Sequence, residues 1–565
     1  VSQPHTIIVP DARDWPHLGA LLDDALLAHP SEVALIEADR HREILRWSYR
    51  DLRQLALRVA ARLDGLGVGP DVRVAILAGN QARWLVSAIA AFRLGAVLVP
   101  LDYKLTATEW RGLLDHAKPH VLVADWHIAR QLPPSAAPHI LVLDAPPDAP
   151  LDGRLRWDDL PEVDTAPRHP RSPNDIATIV YSSGTGGRPK GCLLDHRAYL
   201  HQLSALLTLH PMAPGKRFFS FLPTNHAIDF VAGFLGPLLC GATVVHQRTL
   251  RPEFLVSTLQ RYAPSHLALV PAILSAFDRT LRERTEEAPG WRGAAFEAAR
   301  GLNQWWTARG PDRAVSQGLL GPVHAAFGGG LEVVFCGGAW TDRAMAERFY
   351  AVGMPVLIGY GLTEACTVAT LNRLRPYRAD SVGPPVDGVE VRIVDPDAEG
   401  VGEVWLRGPT LFRGYLDDPE LTAETLTPDG WLRTGDLGRL DASWHLHLSG
   451  RRKDVIVTHE GKNVYPEDVA GAFSDVACEE IAIFAENYIL DRRGMVDERL
   501  VAIVRVGATD PSRALAAANQ RLPGYKRISA WARWTEPFPR TATQKIKRID
   551  LARRVRDAAP SWEPL

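Results

Sequence analysis

The chain is poor in the features that would mark a membrane, secreted or nucleic-acid-binding protein. No apolar run in its 565 residues reaches the roughly 18 that a membrane-spanning helix needs. The first residues, Val-Ser-Gln-Pro-His, show no basic stretch followed by an apolar one, so no secretory signal is expected. Five cysteines, Cys192, Cys240, Cys336, Cys366 and Cys478, are scattered without a Cys-x-x-Cys pair. That spacing argues against a zinc site and a disulfide framework and fits a reducing cytoplasm. A formal net charge of −2 gives no global electrostatic case for nucleic acid. Lysine is sparse beside alanine, arginine and proline, which reads as genome composition. Internal repeats and low-complexity tracts are not evident.

What remains is a globular composition, 46% hydrophobic and 23% charged, in a chain long enough for more than one domain. Apolar runs alternate with helical periodicity. Val72–Ala78, Ala96–Pro100, Val121–Ala124, Ile140–Leu143, Ile176–Val180, Leu267–Val270, Leu331–Phe335 and Val356–Ile358 are expected strands, and Arg83–Leu94 a helix. This alternation predicts doubly wound, mostly parallel α/β layers. Residues 145–175, rich in Pro and Asp, predict a surface connection. From Val389 short alternating segments (Val389–Val394, Gly402–Arg407, Trp444–Ser449) predict a small antiparallel sheet or barrel. After the charged break Ser449–Asp454 comes a compact α/β unit with strands at Glu480–Phe484 and Leu500–Val506. Helices are expected there at Ala514–Gln520 and Ile549–Asp557. A boundary at 450 divides the chain into 1–450 and 451–565.

The chemistry is concentrated in a few segments. Residues 181–191, Tyr-Ser-Ser-Gly-Thr-Gly-Gly-Arg-Pro-Lys-Gly, follow a buried strand. Glycines let backbone N–H groups approach an anion, the hydroxyls of Ser182, Ser183 and Thr185 add donors, and Lys190 adds charge. Pro189 before the lysine and Gly191 after it exclude the GxxxxGK[ST] nucleotide loop. A Gly-rich surface turn is the plain alternative for this segment alone. Further on stand Gly-Tyr-Gly-Leu-Thr-Glu at 359–364 and Trp-Leu-Arg-Thr-Gly-Asp at 431–436. Gly-Arg-Arg-Lys-Asp at 450–454 and Pro-Arg-Thr-Ala-Thr-Gln-Lys-Ile-Lys-Arg at 539–548 complete the set.

In this order the five segments resemble the motif set of the adenylate-forming enzymes, and the resemblance covers nearly the whole chain. It is nearest to the long-chain fatty acyl-CoA synthetases. It implies a large N-terminal domain, a small mobile C-terminal lid, and a two-step reaction using ATP, Mg²⁺ and coenzyme A. A carboxylate attacks the α-phosphate and expels pyrophosphate; a thiol then attacks the acyl carbon and expels AMP. The resemblance assigns the β,γ-phosphates to Ser182, Ser183, Gly184, Thr185, Gly186, Gly187 and Lys190. Gly186 departs from the family's second threonine. The adenine edge goes to Gly337, Gly338 and Ala339, and the next segment, Gly359, Tyr360, Gly361 and Thr363, follows with Tyr360 stacked on adenine. Thr363 is assigned to the phosphate region, Glu364 to the metal, and Asp436 and Arg451 to the ribose side. A helix cap at Thr363 with Glu364 in the first turn is the alternative there, and a turn residue for Asp436. His226 would gate the acyl pocket, against the alternative of a satisfied core histidine, with Asp229 capping a helix Phe230–Leu239. Lys453 would be the hinge and Lys545 the first-step catalytic lysine, preceded by Gln544 where the family has glycine. The Gly461–Val464 run resembles the long-chain synthetases. So does a helical insert between the strands at 270 and 331, which carries Trp291, Trp305 and Trp306. An acyl carrier protein in place of free CoA is the alternative acceptor. A catalytically weak nucleotide-binding protein is the alternative of another class.

Overall fold

The computed structural model describes residues 10–182, 190–285, 291–457, 463–490, 499–507, 510–540 and 546–565. Two large sheets form the first part. One has seven strands in the order Leu155–Arg156, His139–Leu143, Val121–Asp125, Arg73–Leu77, Val97–Pro100, Ile176–Ser182 and Lys190–Asp195. Every pairing in it is parallel except the last, where Ser182 stands opposite Lys190. The other has eight strands, with a parallel core of Val356–Tyr360, Val333–Cys336, His266–Leu269, Arg217–Ser220, Thr243–Gln247 and Val33–Asp39. Antiparallel edge strands Thr370–Leu371 and Arg42–Ser48 close it. Helices cover both layers, so these strands are buried on both faces. Val74, Ala75, Ile76 and Leu77, all inaccessible, are continuous apolar runs for that reason.

Glu390–Val394, Gly402–Arg407, Leu432–Leu440 and Leu446–Arg451 form the four-stranded antiparallel sheet expected after residue 389. Its strands bury one face and leave the other wet, which is why the sequence alternates there. The last sheet has the order Glu480–Ala485, Leu500–Arg505, Ile528–Trp534 and Trp562–Pro564. The fold is thus α/β, with a large sheet domain and a smaller C-terminal one.

The largest buried cluster runs from Ala12 to Leu446, while the two clusters on either face of the last sheet begin at Ile456 and Ala482. No helix among the described residues is long and apolar enough to cross a membrane.

The insert folds as helices Pro271–Thr285, Trp291–Trp306 and Arg313–Ala326, close to the periodicity of the sequence. Trp305 and Trp306 are 71% and 54% exposed and face solvent. The side chain of Trp291 lies outside the described set.

The expected helix after Asp229 is a π-helical turn, Asp229–Leu235, running into the short helix Gly236–Leu239. Asp229 does not cap it. Its carboxyl is buried and accepts from Ser220 Oγ at 2.8 Å and Thr224 Oγ1 at 3.2 Å. The π-turn lets the carboxyl point sideways into the sheet, and Gly233 makes room: a Cβ there would lie 2.6 Å from Asp229 Oδ1.

Candidate active site

Parallel strands of the eight-stranded sheet end together, and the chain beyond each end is glycine-rich. Leu269 and Val270, Gly337–Ala339 after Cys336, and Gly359–Gly361 all line one cleft of about 2480 Å³. This is where open parallel sheets offer a crevice for ligands. Gly361 has no alternative, since a Cβ would fall 1.6 Å from the Thr367 carbonyl oxygen. Gly337 lies so close to the next strand that its Cβ would stand 3.0 Å from the Gly359 carbonyl oxygen.

On one side of this floor stands a hydrogen-bonded trio. The Tyr360 hydroxyl donates to Asp436 Oδ2 at 2.7 Å, and Arg451 Nε lies 3.1 Å from Asp436 Oδ1. Asp436 and Arg451 face each other across neighbouring strands, so the pairing is set by sheet register. Burial first, and the Asp436 charge second, push the Tyr360 phenol well up, so it stays a donor.

On another side Glu364 lies in the 3₁₀ turn Thr363–Ala365. Neither Thr363 nor Glu364 is that turn's cap; Leu362 is, and it offers no side-chain bond. Glu364 Oε1 accepts from the Tyr415 hydroxyl at 2.9 Å, and Lys190 Nζ sits 5.6 Å from the centre of the Tyr415 ring. Tyr415 thus joins the carboxylate to the lysine. Among the described residues no group of three acidic, His or Cys side chains could hold a metal ion. A single carboxylate suits Mg²⁺, which keeps most of its ligands as water and substrate phosphate oxygens.

Ser182 and Lys190 lie at the paired ends of their strands and line the cleft. Ser183, Gly184, Thr185, Gly186 and Gly187 between them lie outside the described residues, and so do Gln544, Lys545, Gly461 and Lys462. The flanks of Lys545 are described. Arg540 bridges Ile546, the Lys547 amide donates to the Pro539 carbonyl at 2.7 Å, and Ile546 to Asp550 line the cleft. Lys547 is close enough to Glu109, a helix-capping carboxylate of the first part, for its charge to help hold that carboxyl below its usual range, after the Thr106 hydrogen bonds. Lys453 lies in the 3₁₀ turn Arg452–Asp454 and lines the cleft; burial lowers its ammonium first, then Arg451.

The same cleft has an apolar lining from Leu203 and Leu207 of the helix His196–Leu209, Val231 of the π-turn, and Phe218 and Leu269 of the sheet. His226 lines the cleft on the loop leading into the π-turn, its carbonyl accepting from the Phe230 amide at 3.0 Å. Burial pushes its imidazole down to about 4, so it is neutral, and its Nε2 has no partner among the described residues. The Ser220–Thr224–Asp229 contacts tie the ends of this loop to the sheet, and His246 Nδ1 adds to Ser220 Oγ at 2.8 Å.

Sequence reasoning missed Tyr415 and this network. The tyrosine stands in an unremarkable Phe-Arg-Gly-Tyr stretch with no charge pattern to flag it. Asp229 carries the ordinary signal of a helix cap. Of the insert, Ser275, Asp278 and Arg282 from its first helix reach the cleft; among the described residues its other two helices contribute none.

Glycine-rich strand ends and an apolar lining thus share one cleft. Residues 22–416 match the AMP-binding enzymes. The chain belongs to that family. It is 29% identical over 96% of its length to a 3-[(3aS,4S,7aS)-7a-methyl-1,5-dioxo-octahydro-1H-inden-4-yl]propanoyl:CoA ligase of Mycobacterium tuberculosis, of which 99% is covered. Similarity also extends to a feruloyl-CoA synthase of Amycolatopsis, 28% identical over 90% of this chain and 94% of the relative. The long-chain-fatty-acid–CoA ligase FadD15 of Mycobacterium bovis is 29% identical over 73% of this chain and 70% of its own length. In fold the chain resembles the anthranilate CoA ligase AuaEII in complex with anthranoyl-AMP. That match has a TM-score of 0.76 at 24% identity and covers 97% of this chain and all of that one.

Proposed function

We propose that this protein is an ATP-dependent acyl-CoA ligase whose acid is a medium- or long-chain fatty acid or an apolar acid of similar bulk. Its family and its full-length likeness to CoA ligases make it an enzyme that joins a carboxylic acid to CoA with ATP. The relatives act on a fused-ring propanoate, a ferulate and long-chain fatty acids, so kinship does not choose the acid. The observation that supports the choice is the apolar lining, Leu203, Leu207, Phe218, Val231 and Leu269, in the same cleft as Gly337 and Gly338. Each buried methylene is worth about 0.8 kcal/mol there, which favours an apolar chain or ring over a short polar acid. The insert's exposed tryptophans give no support to a long-chain preference.

In this reading Tyr360 borders the adenine, Asp436 with Arg451 takes the ribose hydroxyls, and Lys190 with Ser182 meets the phosphates. Glu364, held by Tyr415, supplies the protein ligand to Mg²⁺, which neutralises phosphate charge when bound. His226, neutral and lining the cleft beside the π-turn, gates the acyl chain. Residues 1–450 hold these groups except Arg451, and 451–565 form a lid that turns about Lys453 and brings Lys545 to the reacting phosphate in the first step only. A point cation on a flexible stem suits a group that must arrive and leave. Support for the boundary comes from the division of the buried core between Leu446 and Ile456.

The test is pyrophosphate release over fatty, aryl and amino acids, with and without CoA. Release with apolar acids, together with acyl-CoA product, is expected. Adenylate without acyl-CoA would point to a carrier-protein acceptor, and a preference for acetate or amino acids would overturn the choice of acid.

A further inference from the structure

Trp340 stands directly after the Gly337–Ala339 floor and lines the same cleft. Its neighbours fix where it stands. Thr341 Oγ1 lies 3.4 Å from Cys336 Sγ, and Asp342 caps the helix Arg343–Ala351, accepting from the Ala344 and Met345 amides at 2.7 Å and 3.3 Å. The residue itself is 47% exposed, so packing within residues 1–450 does not account for so large a side chain.

What the indole meets belongs to residues 451–565. Gly471 ends the helix Pro466–Gly471, and a Cβ there would lie 2.9 Å from both Cζ2 and Cη2 of Trp340. The edge of the indole therefore rests on bare backbone. Gly471 is helical and outside the left-handed region that favours glycine, and alanine or leucine would hold a helix better. The space under Trp340 is what calls for a glycine here. Among the described glycines it is the only one with a tryptophan among the nearest atoms its Cβ would meet. Val469 of the same helix is inaccessible and packs in one cluster with Phe473, Ile483 and Leu500, so the helix carries the last sheet with it. In this arrangement Ile546 to Asp550, just beyond Lys545, line the cleft, and Lys547 lies near enough to Glu109 to act on its charge.

We infer that Trp340 is a positioning residue for the first half-reaction: its indole, seated on Gly471, holds residues 451–565 in the orientation that brings Lys545 to the cleft, and parts from Gly471 when they turn for thioester formation. This rests on the reading of 451–565 as a lid and of Lys545 as its first-step lysine. A contact made in only one of two orientations shifts the equilibrium toward that one and contributes nothing to the other. Losing it should therefore divide the two half-reactions, where damage to the fold would slow both.

The experiment measures the half-reactions apart, with the acid that gives the fastest pyrophosphate release. Adenylation is the burst of pyrophosphate without CoA; thioester formation is acyl-CoA made from the supplied acyl-adenylate and CoA. Trp340→Ala and Gly471→Leu should each slow adenylation about fivefold or more and leave thioester formation unchanged or faster. Trp340→Phe, which keeps a ring, should retain most of the adenylation rate. The double variant Trp340→Ala/Gly471→Leu should adenylate faster than Gly471→Leu alone, because the leucine then fills the space the indole left. If Gly471→Leu does not fold, Trp340→Ala and Trp340→Phe decide. Equal losses in both half-reactions, a double variant slower than either single one, or a raised KM for ATP in Trp340→Ala with Gly471→Leu silent each overturn the inference. The lid reading stands in those cases if Lys545→Ala still separates the half-reactions. If Lys545→Ala also slows both equally, the lid reading fails and the inference with it.

Discussion

Asp229 gives the sharpest test of how the loop leading into the π-turn is held to the sheet. Its carboxyl is buried, bonded only to hydroxyls in the contacts described, and pushed up to about 7 from an ordinary 3.8 by burial. A folded-state value above the unfolded one means that the native chain binds the extra proton. The stability this contributes is full below pH ~4 and is lost as pH rises toward 7. Each pH unit inside that window changes stability by about 1.36 kcal/mol. Between pH 5 and pH 7 the wild type should therefore lose about 2–3 kcal/mol relative to a variant that cannot ionise. Asp229→Asn is that variant: near-isosteric, neutral at every pH, and still able to accept from Ser220. Subtracting the two curves removes the buried histidines, which are common to both. The assay is urea unfolding of each protein by tryptophan fluorescence at half-unit steps from pH 5 to pH 8.5. The asparagine variant should gain on the wild type up to pH ~7 and hold a constant lead above it. A difference that is flat across the range, or that grows toward acid, would falsify the burial argument.

Three further outcomes concern the nucleotide side. Asp436→Ala removes the acceptor shared by Tyr360 and Arg451 and should raise KM for ATP about tenfold or more; an unchanged KM would remove Asp436 from the ribose site. Tyr415→Phe leaves the ring beside Lys190 but frees Glu364, so the Mg²⁺ concentration for half-maximal pyrophosphate release should rise severalfold, and an unchanged Mg²⁺ curve would detach Tyr415 from the metal. Lys545→Ala should slow adenylation by a factor on the order of 10², while thioester formation from supplied acyl-adenylate falls much less; equal losses would sink its assignment to the first step.

Much of the fold was legible because burial leaves a one-dimensional trace. A strand covered on both faces must be apolar along its length, so Arg73–Leu77, Val121–Asp125 and Val356–Tyr360 lie where the sequence predicts strands, to within a residue or two. Val33–Asp39, Arg217–Ser220 and Thr243–Gln247 were passed over, because Glu37, Ser220 and His246 interrupt their apolar runs. Each of those polar groups finds a partner outside its own strand: Glu37 the Ala82 amide and Arg248, Ser220 both Asp229 and His246.

The same division holds at the site. Sequence alone determined the family and the glycine-rich strand ends that line the cleft, because glycine floors and fixed spacings after strands are local requirements of the backbone. Tertiary structure alone decided which groups answer one another. Tyr360 meets Asp436 across 76 positions, and Tyr415 meets Glu364 across 51. It also turned Asp229 from a helix cap into a buried clamp and sent Trp305 and Trp306 to solvent. A hydrogen bond or a burial cost depends on what surrounds a side chain in three dimensions, and residues far apart in the chain supply those surroundings only once the sheets have formed.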